Sequence, residues 1–143
     1  MIYLIPKVLV ETGFLFALNP KDKYHKWALN VLENARNKRI ILYVSPVAPI
    51  ELSLIMKSEG YSDREIVEVL EAIDDIINRY ALPQYPLLEL GLLAYATELR
   101  VRYPELTFFD SIHASIAIRN SLLYYDLDEV LRNVIDRELS RLA

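Results

Sequence analysis

Apolar residues recur in this chain at two spacings, and the two alternate. Lys7 to Val10 is a short β-branched and aliphatic run, the pattern of a buried strand. Thr12-Gly13 turns from it into a short apolar helix, Phe14 to Leu18, which Asn19-Pro20 breaks. Ala28, Val31, Leu32 and Ala35 then follow at helical spacing, which predicts an amphipathic helix over Lys23 to Arg36. Arg39 to Val44 predicts a second strand, stopped by Ser45-Pro46. Pro46 to Glu59 predicts a helix with proline in or just before its first turn and Gly60 as its stop.

Ser62-Asp-Arg-Glu65 has the spacing of a capping box, and Ile66, Leu70, Ile73 and Ile77 follow on one helical face. Ala81 to Leu87 carries Pro83 and Pro86, so any strand there is short or at an edge. Leu92, Ala96 and Leu99 mark a helix that ends before Pro104. Asp110 to Asn120 reads as a helix with Ala114, Ala117 and Ile118 inward; Leu122 to Tyr125 reads as a strand, and Glu129 to Leu142 as mostly helix. No repeat, linker or low-complexity segment interrupts the pattern, so residues 1–143 are expected to form a single domain.

Strands that alternate with helices pair in parallel. The expectation is therefore an α/β three-layer sandwich around a central parallel sheet of about four or five strands. Lys7 to Val10 is expected at the centre, between the strands at Ile40 to Val44 and Leu122 to Tyr125. In such a sheet ligands bind beyond the C-terminal ends of the strands, at the topological switch point.

Composition narrows the chemistry. Cysteine is absent, which removes thiol catalysis, disulfides and Cys-type zinc sites. His25 and His113 are the only imidazoles, so a multi-histidine metal site is excluded. Three glycines leave no Gly-rich phosphate loop. The apolar runs are too short and interrupted to span a bilayer, and residues 1–20 lack the features of an export signal, so a cytoplasmic location is the expectation. The net charge of −4 argues mildly against a dedicated nucleic-acid binder, although carboxylates that hold a metal count as negative until the ion is loaded. Hydrophobic residues make up 53% and aromatic residues crowd the first two helices, which points to a homodimer.

Acidic residues stand at the ends of the apolar runs: Glu11, Glu51, Asp110, and Asp126 with Asp128. Placing a carboxylate beside a buried strand costs about several kcal/mol unless it is compensated. A hard divalent cation held by oxygen ligands is the usual compensation. Glu11 and Asp126 fall at strand ends, Glu51 about one turn into a helix, and Asp110 at a helix start where the dipole favours a carboxylate. Asp126-Leu-Asp128 places two acids two residues apart, on one side of an extended strand. Each acid taken alone is also explained as a cap, a turn residue or a surface charge. Together they suit a cation that orients a phosphodiester and acidifies a water.

The pattern resembles the PIN-domain family, including its VapC-type toxin ribonucleases, over nearly the whole chain. Val10-Glu11-Thr-Gly-Phe-Leu-Phe-Ala-Leu18 resembles the first strand, acid and small-residue turn of that family. Pro49-Ile-Glu51-Leu carries the second acid, and Phe109-Asp110-Ser-Ile-His-Ala-Ser-Ile-Ala117 matches the helix of the third most specifically. An ungapped reading from Asp110 puts the fourth acid at Asp128, and a gapped reading puts it at Asp126. The resemblance implies a single-stranded endoribonuclease dependent on Mg²⁺ or Mn²⁺. Glu11, Glu51, Asp110 and Asp128 would be catalytic, with Asp126 as a further candidate ligand. It also implies an antitoxin protein as partner if the toxin role holds. The first acid of the family is typically Asp, whereas this chain has Glu11, whose longer arm moves the ion or demands another rotamer.

Thr12, beside the first acid, is a candidate contact to the scissile phosphate or a helix cap. His113, one turn after Asp110, is a candidate phosphate contact or a hydrogen-bonding helix residue. Lys21, Lys23 and Lys26 form a basic cluster that suits phosphate-backbone contact or a plain solvated face. Tyr24 and Trp27, with Phe14 and Phe16 near in sequence, suggest a dimer or partner surface. A PIN-like module without catalysis, binding RNA or a protein, is the alternative function. A phosphatase reading of Asp126-Leu-Asp128 fits poorly, because only a short tail follows it.

Overall fold

In the computed structural model, which describes residues 4–125 and 129–143, β1 (Lys7–Val10) is the middle strand of a parallel sheet. β2 (Ile41–Val44) pairs on one side, with Lys7 opposite Ile41 and Val10 opposite Val44. β3 (Leu123–Tyr124) pairs on the other side, with Val8 opposite Leu123 and Leu9 opposite Tyr124. Val8, Leu9 and Val10 are fully buried, which explains why β1 is a continuous apolar run and not an alternating one: helices cover both of its faces.

Successive side chains of a strand point to opposite faces, and the core divides accordingly. Val8, Val10, Leu42 and Val44 face α1 (Thr12–Ala17), α2 (His25–Arg36), α3 (Ala48–Ser58) and α4 (Asp63–Tyr80), which bring Phe14, Leu32, Leu52 and Ile77. Leu9, Tyr43 and Tyr124 face α5 (Leu90–Arg102), α6 (Phe108–Arg119) and α7 (Glu129–Leu142), which bring Leu99, Ile116 and Leu131. The molecule is thus an α/β three-layer sandwich with β1 central, as the alternation of patterns requires.

Local signals act where the sequence places them. The Ser62 hydroxyl accepts the Glu65 N–H and the Glu65 carboxylate accepts the Ser62 N–H, a complete capping box at the start of α4. Gly60 ends the α3 turn at φ +93°, a left-handed conformation that a side chain would strain. The sheet has three strands among the described residues, fewer than the four or five anticipated. A further segment runs beside β2 but bonds only at Gln84, whose N–H donates to Leu42 O and whose carbonyl accepts from Val44 N. Pro83 and Pro86 flank it and lack the N–H a longer ladder needs. Of the aromatic residues expected at a surface, Phe14 is buried and Trp27 packs edge-on against it at 6.1 Å, so both serve the core; Phe16 and Tyr24 remain exposed.

The α7 helix is fastened to α5 by a buried charge. Glu138 lies on the same stripe as Leu131, Val134 and Ile135 and is fully buried. Its carboxylate accepts from Tyr95 Oη at 2.7 Å, Tyr103 Oη at 3.1 Å, Arg102 Nη2 at 2.8 Å and Arg141 Nε at 2.9 Å. The Arg141 hydrogen bond, with those from Tyr95, Arg102 and Tyr103, outweighs the cost of burial and lowers its pKa to about 2. Burial and the adjacent carboxylate raise Tyr95 to about 12, so its hydroxyl stays a donor.

Glu138→Ala leaves the buried Tyr95 and Tyr103 hydroxyls without their acceptor while Arg102 and Arg141 turn to solvent, and a loss of about 1–3 kcal/mol in denaturant unfolding at neutral pH is expected. A carboxylate held low stabilises the fold fully above its ordinary pKa of 4.5 and loses that contribution as pH falls towards about 2. The stability gap between wild type and variant should therefore close across that interval, and a gap independent of pH would contradict the assignment.

Candidate metal centre

The C-terminal ends of β1 and β2 open on the side where the chain turns into α1 and α3. Glu11 follows β1 directly and caps α1, its Oε1 accepting from Gly13 N at 2.8 Å. Aspartate is the commoner cap, and the extra methylene of Glu11 is taken up by folding the arm back onto its own helix. Only 8% of Glu11 is exposed. Thr12, also buried, turns its hydroxyl away from the cap and donates to Glu51 Oε1. Glu51 stands half-buried in the first turn of α3, where the helix dipole favours negative charge.

His113 completes the group. It is fully buried in the middle of α6, with Nε2 at 3.0 Å from Glu51 Oε1 and 3.9 Å from Glu11 Oε2. Its Nδ1 lies 2.7 Å from the hydroxyl of Ser45, the first residue past β2. Burial of Glu51 opposes its charge, but the hydrogen bonds from His113 and Thr12 and the coulombic pull of His113 prevail, so its pKa lies below the ordinary value.

Glu11, Glu51 and His113 each offer one ligand atom, and these atoms lie within 4.8 Å of one another. Two oxygen donors and one nitrogen donor at that spacing fit a divalent cation. Asp110 is half-buried one turn before His113 and is not a member of this group among the described residues. It does not cap α6 either: Thr107 is the cap and accepts the Asp110 N–H at 3.2 Å. Asp126 and Asp128 lie outside the described residues. Lys21 and Lys23 are exposed in the loop between α1 and α2, Lys23 over the Tyr24 ring at 4.8 Å. His25 places Nδ1 at 2.9 Å from Ala17 O and anchors that loop.

Sequence reasoning did not single out Ser45. It stands in Ser45-Pro46, which reads as a strand stop, and a stop says nothing of a partner in α6.

The model of the PIN domain matches residues 8–135. The chain belongs to the PIN-domain family. Among solved structures, this PIN domain is similar to VapC20 of Mycobacterium tuberculosis, described as a sarcin-ricin loop cleaving toxin. The TM-score is 0.64 and the identity 18%, over 88% of this chain and 93% of that one. It is also similar to PAE2754 from Pyrobaculum aerophilum, with a TM-score of 0.54 and 19% identity over 96% of this chain and 90% of that one. At these identities the likeness is one of fold. No curated protein matches the sequence. Among the described residues, no helix is long and apolar enough to cross a membrane.

The Glu51 carboxyl, followed by carbon-detected NMR, should titrate below 4.5, the ordinary glutamate value. Thr12→Val keeps the shape and removes one donor, so it should move that midpoint upward. A midpoint unchanged in the variant would show that the Thr12 hydroxyl does not bond to Glu51.

Proposed function

We propose that this PIN domain is a metal-dependent endoribonuclease that cleaves single-stranded RNA. The observation that carries the reading is the convergence of Glu11, Glu51 and His113 at the strand ends, with Asp110 one turn away on α6. Glu11 and Glu51 hold Mg²⁺ or Mn²⁺, and Asp110 with Asp128 or Asp126 completes the acidic set. The bound ion supplies charge neutralisation at the phosphodiester and an acidified water for in-line attack. Thr12 fixes the Glu51 rotamer through its hydroxyl. Glu51, held anionic by its donors, is ready to bind a cation at neutral pH. The products carry a 5′-phosphate and a 3′-hydroxyl. Lys21 and Lys23, exposed beside the first acid's loop, contact the phosphate backbone. A net charge of −4 keeps non-specific RNA affinity low.

The fold shared with VapC20, described as a toxin, supports the toxin role. An antitoxin protein as partner and the cytoplasm as location are part of the same proposal. The assembly proposed is a homodimer, for which exposed apolar side chains such as Leu54, Leu90 and Val101 are available. Light scattering at micromolar concentration should return a dimer, and a monomer would count against that assembly.

With Mn²⁺ or Mg²⁺, the wild-type chain should cleave single-stranded RNA and EDTA should stop it. Asp110→Asn and Glu51→Gln should each lower the rate by about 100-fold or more, since each removes a charge near the ion while keeping shape. Glu11→Asp should preserve or raise activity. Wild-type protein that neither binds Mn²⁺ at millimolar concentration nor cleaves RNA would leave the non-catalytic binding module as the reading.

A further inference from the structure

The carboxylates account for two corners of the Glu11–Glu51–His113 group, and the third corner is a nitrogen. We propose that His113 Nε2 is itself a ligand of the divalent ion. The centre is then a mixed imidazole and carboxylate site that prefers a first-row transition dication such as Mn²⁺ to Mg²⁺. The inference rests on the metal-dependent reading above and assigns one of its ligands.

Distances fit the assignment. Ligand atoms about 2.1–2.3 Å from an ion stand about 3.0–3.3 Å apart when adjacent and about 4.2–4.6 Å apart when opposite. Nε2 lies 3.0 Å from Glu51 Oε1, the adjacent spacing, and 3.9 Å from Glu11 Oε2, between the two spacings, so the Glu11 arm shifts by a few tenths of an ångström on binding. A hydrogen bond from Nε2 to Glu51 has the same length, so the other ring nitrogen decides what the ring can do. A metal-ligating histidine almost always donates its second ring N–H to an outer partner. Here that partner is Ser45, whose fully buried hydroxyl is 2.7 Å from Nδ1. A hydroxyl both accepts and donates. It accepts from Nδ1–H when the Nε2 lone pair faces an ion, and it donates to Nδ1 when Nε2–H faces Glu51. A change of tautomer thus frees the Nε2 lone pair for an ion while Ser45 still bonds Nδ1.

Packing holds the ring in place. His113 is fully buried, and its neighbours Ile112, Ala114 and Ile116 belong to the core between α6 and the sheet. Among the described residues the nitrogen is the α6 atom that groups with the Glu11 and Glu51 carboxylates, and it adds to the acidic set proposed above. Mg²⁺ takes oxygen ligands and dehydrates reluctantly, whereas imidazole suits transition ions.

The test is pulsed electron paramagnetic resonance on the full chain titrated with Mn²⁺, prepared with natural and with ¹⁵N-labelled histidine. Bound Mn²⁺ should show nitrogen coupling that changes with the label and persists in His25→Gln. Bound Mn²⁺ without histidine coupling would overturn the assignment and leave the oxygen-ligated centre standing. No bound Mn²⁺ would overturn both. His113→Gln, with its fold checked by circular dichroism, should lose about tenfold or more in Mn²⁺ affinity and less than about threefold in Mg²⁺ affinity. An equal loss for both ions would mean that His113 only positions Glu51. Should the variant not fold, the wild-type spectra decide alone.

Discussion

A carboxylate at the end of a buried strand must be kept charged against desolvation, and two of them side by side must also be kept from repelling each other. The structure around Glu11 and Glu51 answers both needs with short-range donors. Glu11 takes an N–H of its own helix, and Glu51 takes a hydroxyl from Thr12 and stands at a helix start. His113 sits between them, bonded to one and 3.9 Å from the other. The parallel sheet is what makes this arrangement available. Strands that run the same way bring their C-terminal ends to one edge, and helices begin there.

The chain handles a second buried carboxylate differently, and the contrast separates structure from function. Glu138 has two guanidinium partners and two phenol partners, so its charge is matched inside the protein. Buried ion pairs of this kind hold elements together and leave little capacity for another ligand. The partners of Glu51 are a hydroxyl and an imidazole. These donors hold the carboxylate in place with two hydrogen bonds, fewer than the four partners that surround Glu138.

Glutamate at the first strand end departs from the acid typical of PIN domains. The geometry shows where the longer arm goes. Its carboxylate folds back to cap α1 with one oxygen while the other points towards His113. Cap and cluster member are one residue, so the sequence difference is absorbed locally, with β1 and α1 in their expected places.

Much of the framework was legible from periodicity alone. The dry run Lys7 to Val10 determined a central strand, the Ser62–Glu65 spacing determined a helix start, and Gly60 determined a helix end. These are local or short-period effects, carried by residues a few positions apart. Pro83 and Pro86 marked Ala81 to Leu87 as at most a short or edge strand, and it pairs beside β2 only through Gln84 among the described residues. The stripe of Leu131, Val134, Ile135 and Glu138 held a signal too, because a charge on an apolar face needs a buried partner. Which partner was beyond the sequence: Tyr95 lies 43 residues away and Arg102 36. The site has the same character. Residue types marked Glu11 and Glu51 as candidates, but His113 meets Glu51 across 62 positions and Ser45 across 68. Periodicity states which face of an element is buried and not which element covers it. Only strand register and helix packing decided that His113 meets Glu11 and Glu51.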